Sequence, residues 1–177
     1  MINKKIEKAL NEQVAMECFS SAQYLAMASW IENKGFEGTA SFLYTQSDEE
    51  RTHMLKLFHY IIDAGGTAVS PGIKEPKLNF KNLHEVFENI YSQEQKVSQS
   101  INHLVNLAHE EKDHTTHNFL QWYVAEQLEE EALFRSILDK LKIIGDNGGA
   151  LYVFDKDMKD VVGQKNILKS QSTGNKA

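Results

Sequence analysis

Four glutamates interrupt apolar stripes that otherwise have the spacing of buried helix faces. Each stripe repeats apolar residues every three or four positions and becomes polar near its middle. The interruptions are Glu17, Glu50, Glu94 and Glu130, and His53 follows Glu50 by three positions. An isolated carboxylate is costly to bury, and no lysine or arginine lies on these stripes to pair with it. Four interruptions on four predicted helices therefore indicate one shared, charge-compensated site.

Metal ions are the compensation that these residue types favour. Two divalent cations would neutralise four carboxylates, and Glu50 and His53 share one helix face because they are three positions apart. Carboxylate-rich coordination with one imidazole is too hard for a structural zinc site and suits iron or manganese. For any one glutamate alone, exposure on a stripe of slightly different register is the ordinary interpretation. The coincidence of four favours the metal site.

Composition limits the class of protein. With 177 residues and 41% hydrophobic content, the chain can form one domain with a substantial core, predicted over residues 1–163 and followed by a polar tail at 164–177. A net charge of -6 disfavours a nucleic-acid partner. The single cysteine, Cys18, allows no internal disulfide and fits a reducing compartment. We find no signal peptide and no long apolar run, so the expectation is a cytoplasmic protein without a membrane partner.

The elements that must position the glutamates are four long helices in an all-α bundle. Short breaks at residues 33–38 and 110–116 predict antiparallel pairs, with Asp113 or Thr115 as a helix cap. The long break at 65–80 contains both prolines and can span about 53 Å, whereas the second helix needs about 42 Å. We therefore predict a crossover that makes helices two and three parallel. A short fifth helix is predicted from Asp155 to about Gly163.

Several runs of residues resemble those of the bacterial non-haem ferritins. They are L-N-E-Q at 10–13, F-E-G at 36–38, E-E-R-T-H-M at 49–54, and N-F-L-Q-W-Y-V at 118–124 with the glutamate-rich residues that follow. The resemblance covers residues 1 to about 160. It implies a ferritin-type four-helix bundle, which is also the standard example of such bundles. It further implies iron storage, ferroxidase activity with Fe(II) and dioxygen, a ferric mineral core and a homo-oligomeric cage of 24 subunits.

The resemblance also implies how the site residues divide between irons. Glu17, Glu50 and His53 would bind one iron, and Glu50, Glu94 and Glu130 the other, with Glu50 as the bridge. A third iron would use three further glutamates and share Glu130; these are Glu49, Glu126 and Glu129. On spacing alone, this acidic cluster could equally be a solvated helix face.

Two positions refine these expectations. Gln127 and Glu130 stand where a symmetric di-iron plan would have a second Glu-x-x-His, so Gln127 is a candidate metal-site residue, and the second iron lacks a nitrogen ligand and should be held more weakly. Tyr24 follows Glu17 by two helical turns and should face the site, either as a core aromatic or as a hydrogen-bond or electron donor. Thr52 stands where bacterioferritins have their haem-ligating methionine, so no haem is expected.

Competing functions remain at this point. A shell subunit that holds mineral without an oxidation centre is disfavoured by the full ligand set. A bacterioferritin-like haem-binding cage is disfavoured by Thr52. A rubrerythrin-type peroxidase would need paired cysteine ligands, and a DNA-protecting cage would more naturally carry a basic tail. The main prediction is a ferroxidase and iron store in one protein.

Overall fold

Every element in the described part of the chain is a helix. The computed structural model describes residues 2–173, and side chains are described for residues 2–161. The helices are α1 (Lys4–Glu32), α2 (Glu37–Asp63), α3 (Leu83–Glu110), α4 (His114–Ile144) and α5 (Gly148–Thr173). The predicted all-α fold is confirmed. No helix within the described residues has the combination of length and apolar character that a membrane crossing requires.

Local polar side chains cap the starts of α1, α3 and α4. The side chain of Asn3 accepts from the backbone N–H of Lys5 at the start of α1. Asn82 caps α3 in the same way, and Asp113 caps α4 by accepting from Thr116 at 2.9 Å. These side chains satisfy N–H groups that have no partner within the helix. Asp113 is one of the two caps that the sequence predicts.

The segment between α2 and α3 is a crossover that follows α1 from end to end. Four contacts mark its path in chain order: Ala64 with Ile2, Val69 with Asn11, Lys77 with Gln23, and Phe80 with Trp30. The chain therefore leaves the end of α2 and returns to the opposite end of the bundle before α3 begins. Helices α2 and α3 run parallel, as the length of this segment predicts.

The C-terminal helix differs from its prediction at both ends, because it runs from Gly148 to Thr173, and in what Asp155 does. Helix α5 begins at Gly148, before the predicted start at Asp155, and Asn147 caps it by accepting from Ala150 at 3.0 Å. Asp155 lies inside α5 and caps α2 instead, accepting from the N–H groups of Gly38 and Thr39 at 3.0 and 2.7 Å. Helix α5 continues to Thr173, and the side chains of the predicted tail lie outside the described residues.

The core consists of two apolar clusters with a polar layer between them. One cluster contains Tyr24, Phe87 and Phe134, and the other contains Leu10 and Leu57. Buried polar residues lie between the two clusters at a similar level on each helix of the bundle: Gln13, Glu17, Gln46, Glu50, His53, Glu94, Gln127 and Glu130. The four interrupting glutamates are only 0–2% exposed, so they are not surface residues on misread stripes.

Candidate metal centre

The central group of possible ligands comes from the α1–α2 pair. Glu17 of α1 and Glu50 and His53 of α2 offer atoms that all lie within 4.8 Å of one another. The spacing of Glu50 and His53 puts both on the inner face of α2, and 3.8 Å separates Nδ1 of His53 from Oε2 of Glu50. All three side chains are buried. This group matches the residues expected for the first iron.

The α3–α4 pair supplies the remaining two carboxylates. Glu94 accepts from the phenol of Tyr24 at 2.7 Å and from the amide of Gln127 at 3.2 Å. Glu130 accepts from the amide of Gln46 at 3.2 Å. Burial raises the pKa of Glu50, and the negative charges of Glu94 and Glu130 raise it further. The hydrogen bonds from Tyr24 and Gln46 show that the two helix pairs face each other across one polar layer.

Burial and repulsion between carboxylates raise the pKa values of the site glutamates. Burial raises the pKa of Glu17 and of Glu50 well above the usual range, and neighbouring carboxylates raise both further. Burial also raises the pKa of Glu94 to about 7, against the hydrogen bond from Tyr24, which lowers it. The pKa of the Tyr24 phenol is raised by burial and by the charge of Glu94. The metal-free site therefore takes up protons that an arriving cation must displace.

Two buried side-chain oxygens indicate what kind of ligand the site fits. Neither Oε2 of Glu17 nor Oε1 of Gln13 accepts a hydrogen bond from any described residue. Buried acceptors without a donor are rare in folded proteins, because each forfeits its hydration. A cation beside Glu17 would satisfy the carboxylate, so the residues fit a divalent ion.

A second group of ligand atoms lies next to the first and includes His53. Atoms of Glu49, His53 and Glu126 lie within 4.8 Å of one another, and 3.9 Å separates Nε2 of His53 from Oε1 of Glu126. Burial raises the pKa of Glu126 above its usual value. Glu129 is exposed and belongs to neither group. The structure thus brings Glu49 and Glu126 together, with His53 between them and Glu129 outside.

Several further side chains contact the residues of the candidate site. The Tyr123 hydroxyl donates to the backbone carbonyl of His53 at 2.8 Å, and the Trp122 ring lies 5.3 Å from the imidazole. Gln13 and Gln46 each donate to a site carboxylate. Their signal in the sequence was a glutamine one helical turn before Glu17 and Glu50 on the same stripes.

Both the sequence and the fold of this chain are similar to those of known proteins. The pattern of the ferritin-like domain family matches residues 7–144. A probable bacterial non-heme ferritin-like protein of Haemophilus influenzae is 47% identical over 158 residues, covering 89% of this chain and 96% of that protein. The bacterial non-heme ferritin of Campylobacter jejuni is 43% identical, covering 91% and 96%. An open pore ferritin of the hyperthermophilic archaeon Archaeoglobus fulgidus superposes with a TM-score of 0.88 at 38% identity, covering 90% and 98%.

Proposed function

Because this chain belongs to the ferritin family, we propose that it stores iron and is itself a ferroxidase. In this proposal it oxidises Fe(II) with dioxygen at the carboxylate site and deposits ferric oxide-hydroxide inside a cage of 24 copies in the cytoplasm. Fe(II) is the substrate and the ferric mineral is the product. Glu17, Glu50, His53, Glu94 and Glu130 are the proposed residues of the paired site.

The observation that carries the proposal is the convergence of buried carboxylates from both helix pairs around one imidazole. Glu17, Glu50 and His53 form a compact group, and side chains of α1 and α2 reach the other two carboxylates: Tyr24 donates to Glu94 and Gln46 donates to Glu130. Two Fe(II) ions would balance four carboxylates. Each ion gives up one electron, and one dioxygen takes both electrons and two protons to become hydrogen peroxide. Pairing the ions thereby avoids release of superoxide.

The side chains around the second proposed iron suit an ion that is bound only briefly. Gln127 directs its amide nitrogen to Glu94, so the second iron is held by carboxylates alone. Oxygen ligands bind Fe(II) less tightly than a set that includes imidazole. Weak binding on that side favours release of the oxidised ion to the mineral.

We further propose a third iron beside the pair. Glu49 and Glu126 supply its carboxylates, and the closeness of His53 to both supports a position directly adjacent to the first iron. Glu129 would join only if its side chain turned inward from the surface. A third electron donor next to the pair, with Tyr24 as a further candidate, would change how far dioxygen is reduced.

Titration of the metal-free protein with Fe(II) in air tests the proposal. We expect fast oxidation up to about two to three irons per subunit, followed by slower growth of mineral. Absorbance at wavelengths where ferric species absorb and particle size should be recorded together. A titration without a break, at the rate of iron oxidation in plain buffer, would refute the ferroxidase and leave a shell subunit that only holds mineral.

A further inference from the structure

Three buried glutamines each donate a hydrogen bond to a different carboxylate of the site. The amide nitrogen of Gln13 donates to Glu17 at 2.8 Å. The other two pairs are Gln46 with Glu130 and Gln127 with Glu94, each at 3.2 Å. All three glutamines are buried, at positions where a leucine would pack without a polar group to satisfy.

Gln127 is already a predicted residue of the iron site; resting on the proposed function above, we propose that Gln13 and Gln46 act beside it as positioning residues. Each holds one carboxylate through one oxygen, and together they fix how the carboxylates face the arriving ion. The amide is the side chain suited to this task because it donates a hydrogen bond and carries no charge. A lysine or arginine could orient the same oxygen, but it would cancel the negative charge that attracts Fe(II).

Gln13 provides the strongest case. It lies four residues before Glu17 on α1, so both side chains share one face of the helix. The hydrogen bond occupies Oε1 of Glu17 and leaves Oε2 without a donor among the described residues. Oε1 of Gln13 is likewise buried and accepts no hydrogen bond there. Both oxygens are available to a cation, which supports a role for Gln13 beside the proposed iron.

The other two glutamines act between helices. Gln46 reaches from α2 to Glu130 on α4, and Gln127 reaches from α4 to Glu94 on α3. Gln127 also donates to the backbone carbonyl of Glu94 at 3.3 Å, which fixes the amide relative to the main chain. These contacts keep carboxylates from different helices in one arrangement before any ion arrives, so less reorganisation accompanies binding.

The test is the binding of Co(II), whose visible absorption reports ligand number and geometry, to metal-free protein under anaerobic conditions. Gln13→Met, Gln46→Met and Gln127→Met keep approximate size and remove the donor. The signal missing from a Glu50→Ala variant identifies binding at the paired site. We expect each glutamine variant to bind Co(II) there about 10-fold to 100-fold more weakly, with an altered spectrum.

Gln23→Met is the matched control. Gln23 is also a buried glutamine of α1, but its amide binds the backbone of Lys77 in the crossover. That variant should keep the wild-type Co(II) affinity and spectrum. If Gln13→Met does not fold, Gln13→Asn retains an amide too short to reach Glu17 and should show the same loss.

The outcomes separate this inference from the proposed function. Wild-type affinity and spectrum in all three variants would overturn the inference and leave the glutamines as core residues. Equal losses in the variants and in Gln23→Met would also overturn it, because a general packing effect would then suffice. If the wild-type protein bound no Co(II) in a Glu50-dependent manner, the proposed function itself would fail.

Discussion

Glu50 is the carboxylate that we propose as the bridge between the two irons. It groups with Glu17 and His53, and its pKa responds to Glu94 and Glu130 across the layer. We predict that Glu50→Ala slows the fast phase of Fe(II) oxidation about tenfold more than Glu17→Ala or Glu94→Ala does. Stopped-flow absorbance measures this. The metal-free assembly should survive the change because a like charge is removed, so loss of the assembly would make Glu50 primarily structural.

Glu94 sets a pH dependence of stability in the metal-free protein. Its pKa of about 7 is raised from 4.5, so the folded chain binds this proton more tightly than the unfolded chain does. Its contribution to stability is therefore full below 4.5 and is lost as the pH rises to about 7. Glu94→Gln should flatten that part of the profile of thermal midpoint against pH. Glu17 and Glu50 shift in the same direction, so a residual slope is expected; an unchanged slope would contradict the assignment.

The neighbouring acidic group makes a separate prediction about electron supply. Glu49→Gln with Glu126→Gln keeps side-chain shape and removes both charges next to His53. The fast phase should persist, but the ratio of iron oxidised to oxygen consumed should fall towards two, because only the pair still supplies electrons. An oxygen electrode with parallel iron assay measures the ratio. Glu129→Gln is the informative control: an equal effect would bring that exposed glutamate into the site.

For single residues, the sequence predicts the candidate ligands better than it predicts the hydrogen-bond partners of those ligands. The glutamates are predictable because a carboxylate is unusual on an otherwise apolar helix stripe. Gln46 is also a polar position on its stripe, but spacing does not predict that it donates to Glu130 on another helix. The directions of such contacts depend on how helices are rotated against each other, which local spacing does not encode.

Helix α5 is fastened to the start of α2 by a close backbone approach. A Cβ added to Gly38 would lie 1.8 Å from the carbonyl oxygen of Asp155. Gly38→Ala should therefore force α5 away and destabilise the protein by about 1–3 kcal/mol, the usual range for overpacking. Thermal unfolding and limited proteolysis of α5 measure the effect. Gly72→Ala is the matched control, since nothing lies within 4 Å of its added carbon; equal behaviour of the two variants would refute the close approach.

Long-range capping also explains the one element whose start the sequence misjudged. Asp155 has the character of a cap, and the local sequence assigns it to the helix that follows. In the structure it satisfies α2, which has no side-chain cap of its own. The four bundle helices and the crossover were predictable because periodicity, breaks and reach are local quantities. The cap of α2 is not predictable in this way, because Asp155 lies 117 positions along the chain from Gly38.

The whole chain presents apolar side chains that a lone subunit would leave in water. Ile143, Leu128 and Tyr152 are large and well exposed. A cage of the proposed kind would cover such side chains at contacts between subunits. We predict that sedimentation finds particles of about 24 chains of 20.2 kDa, and that Ile143→Asp with Tyr152→Asp lowers this mass. Monomers of the unmodified protein at micromolar concentration would refute the cage.

The crossover along α1 divides the chain into two hairpins of unequal chemical content. The first, α1 with α2, carries Glu17, Glu50 and His53; the second, α3 with α4, carries Glu94 and Glu130. Neither hairpin alone holds the complete set of proposed ligands. The crossover thus connects the two halves of the proposed site, and the proposed oxidation of Fe(II) would require both halves to be packed together. A measured ferroxidase rate would then also report that both hairpins have folded and docked.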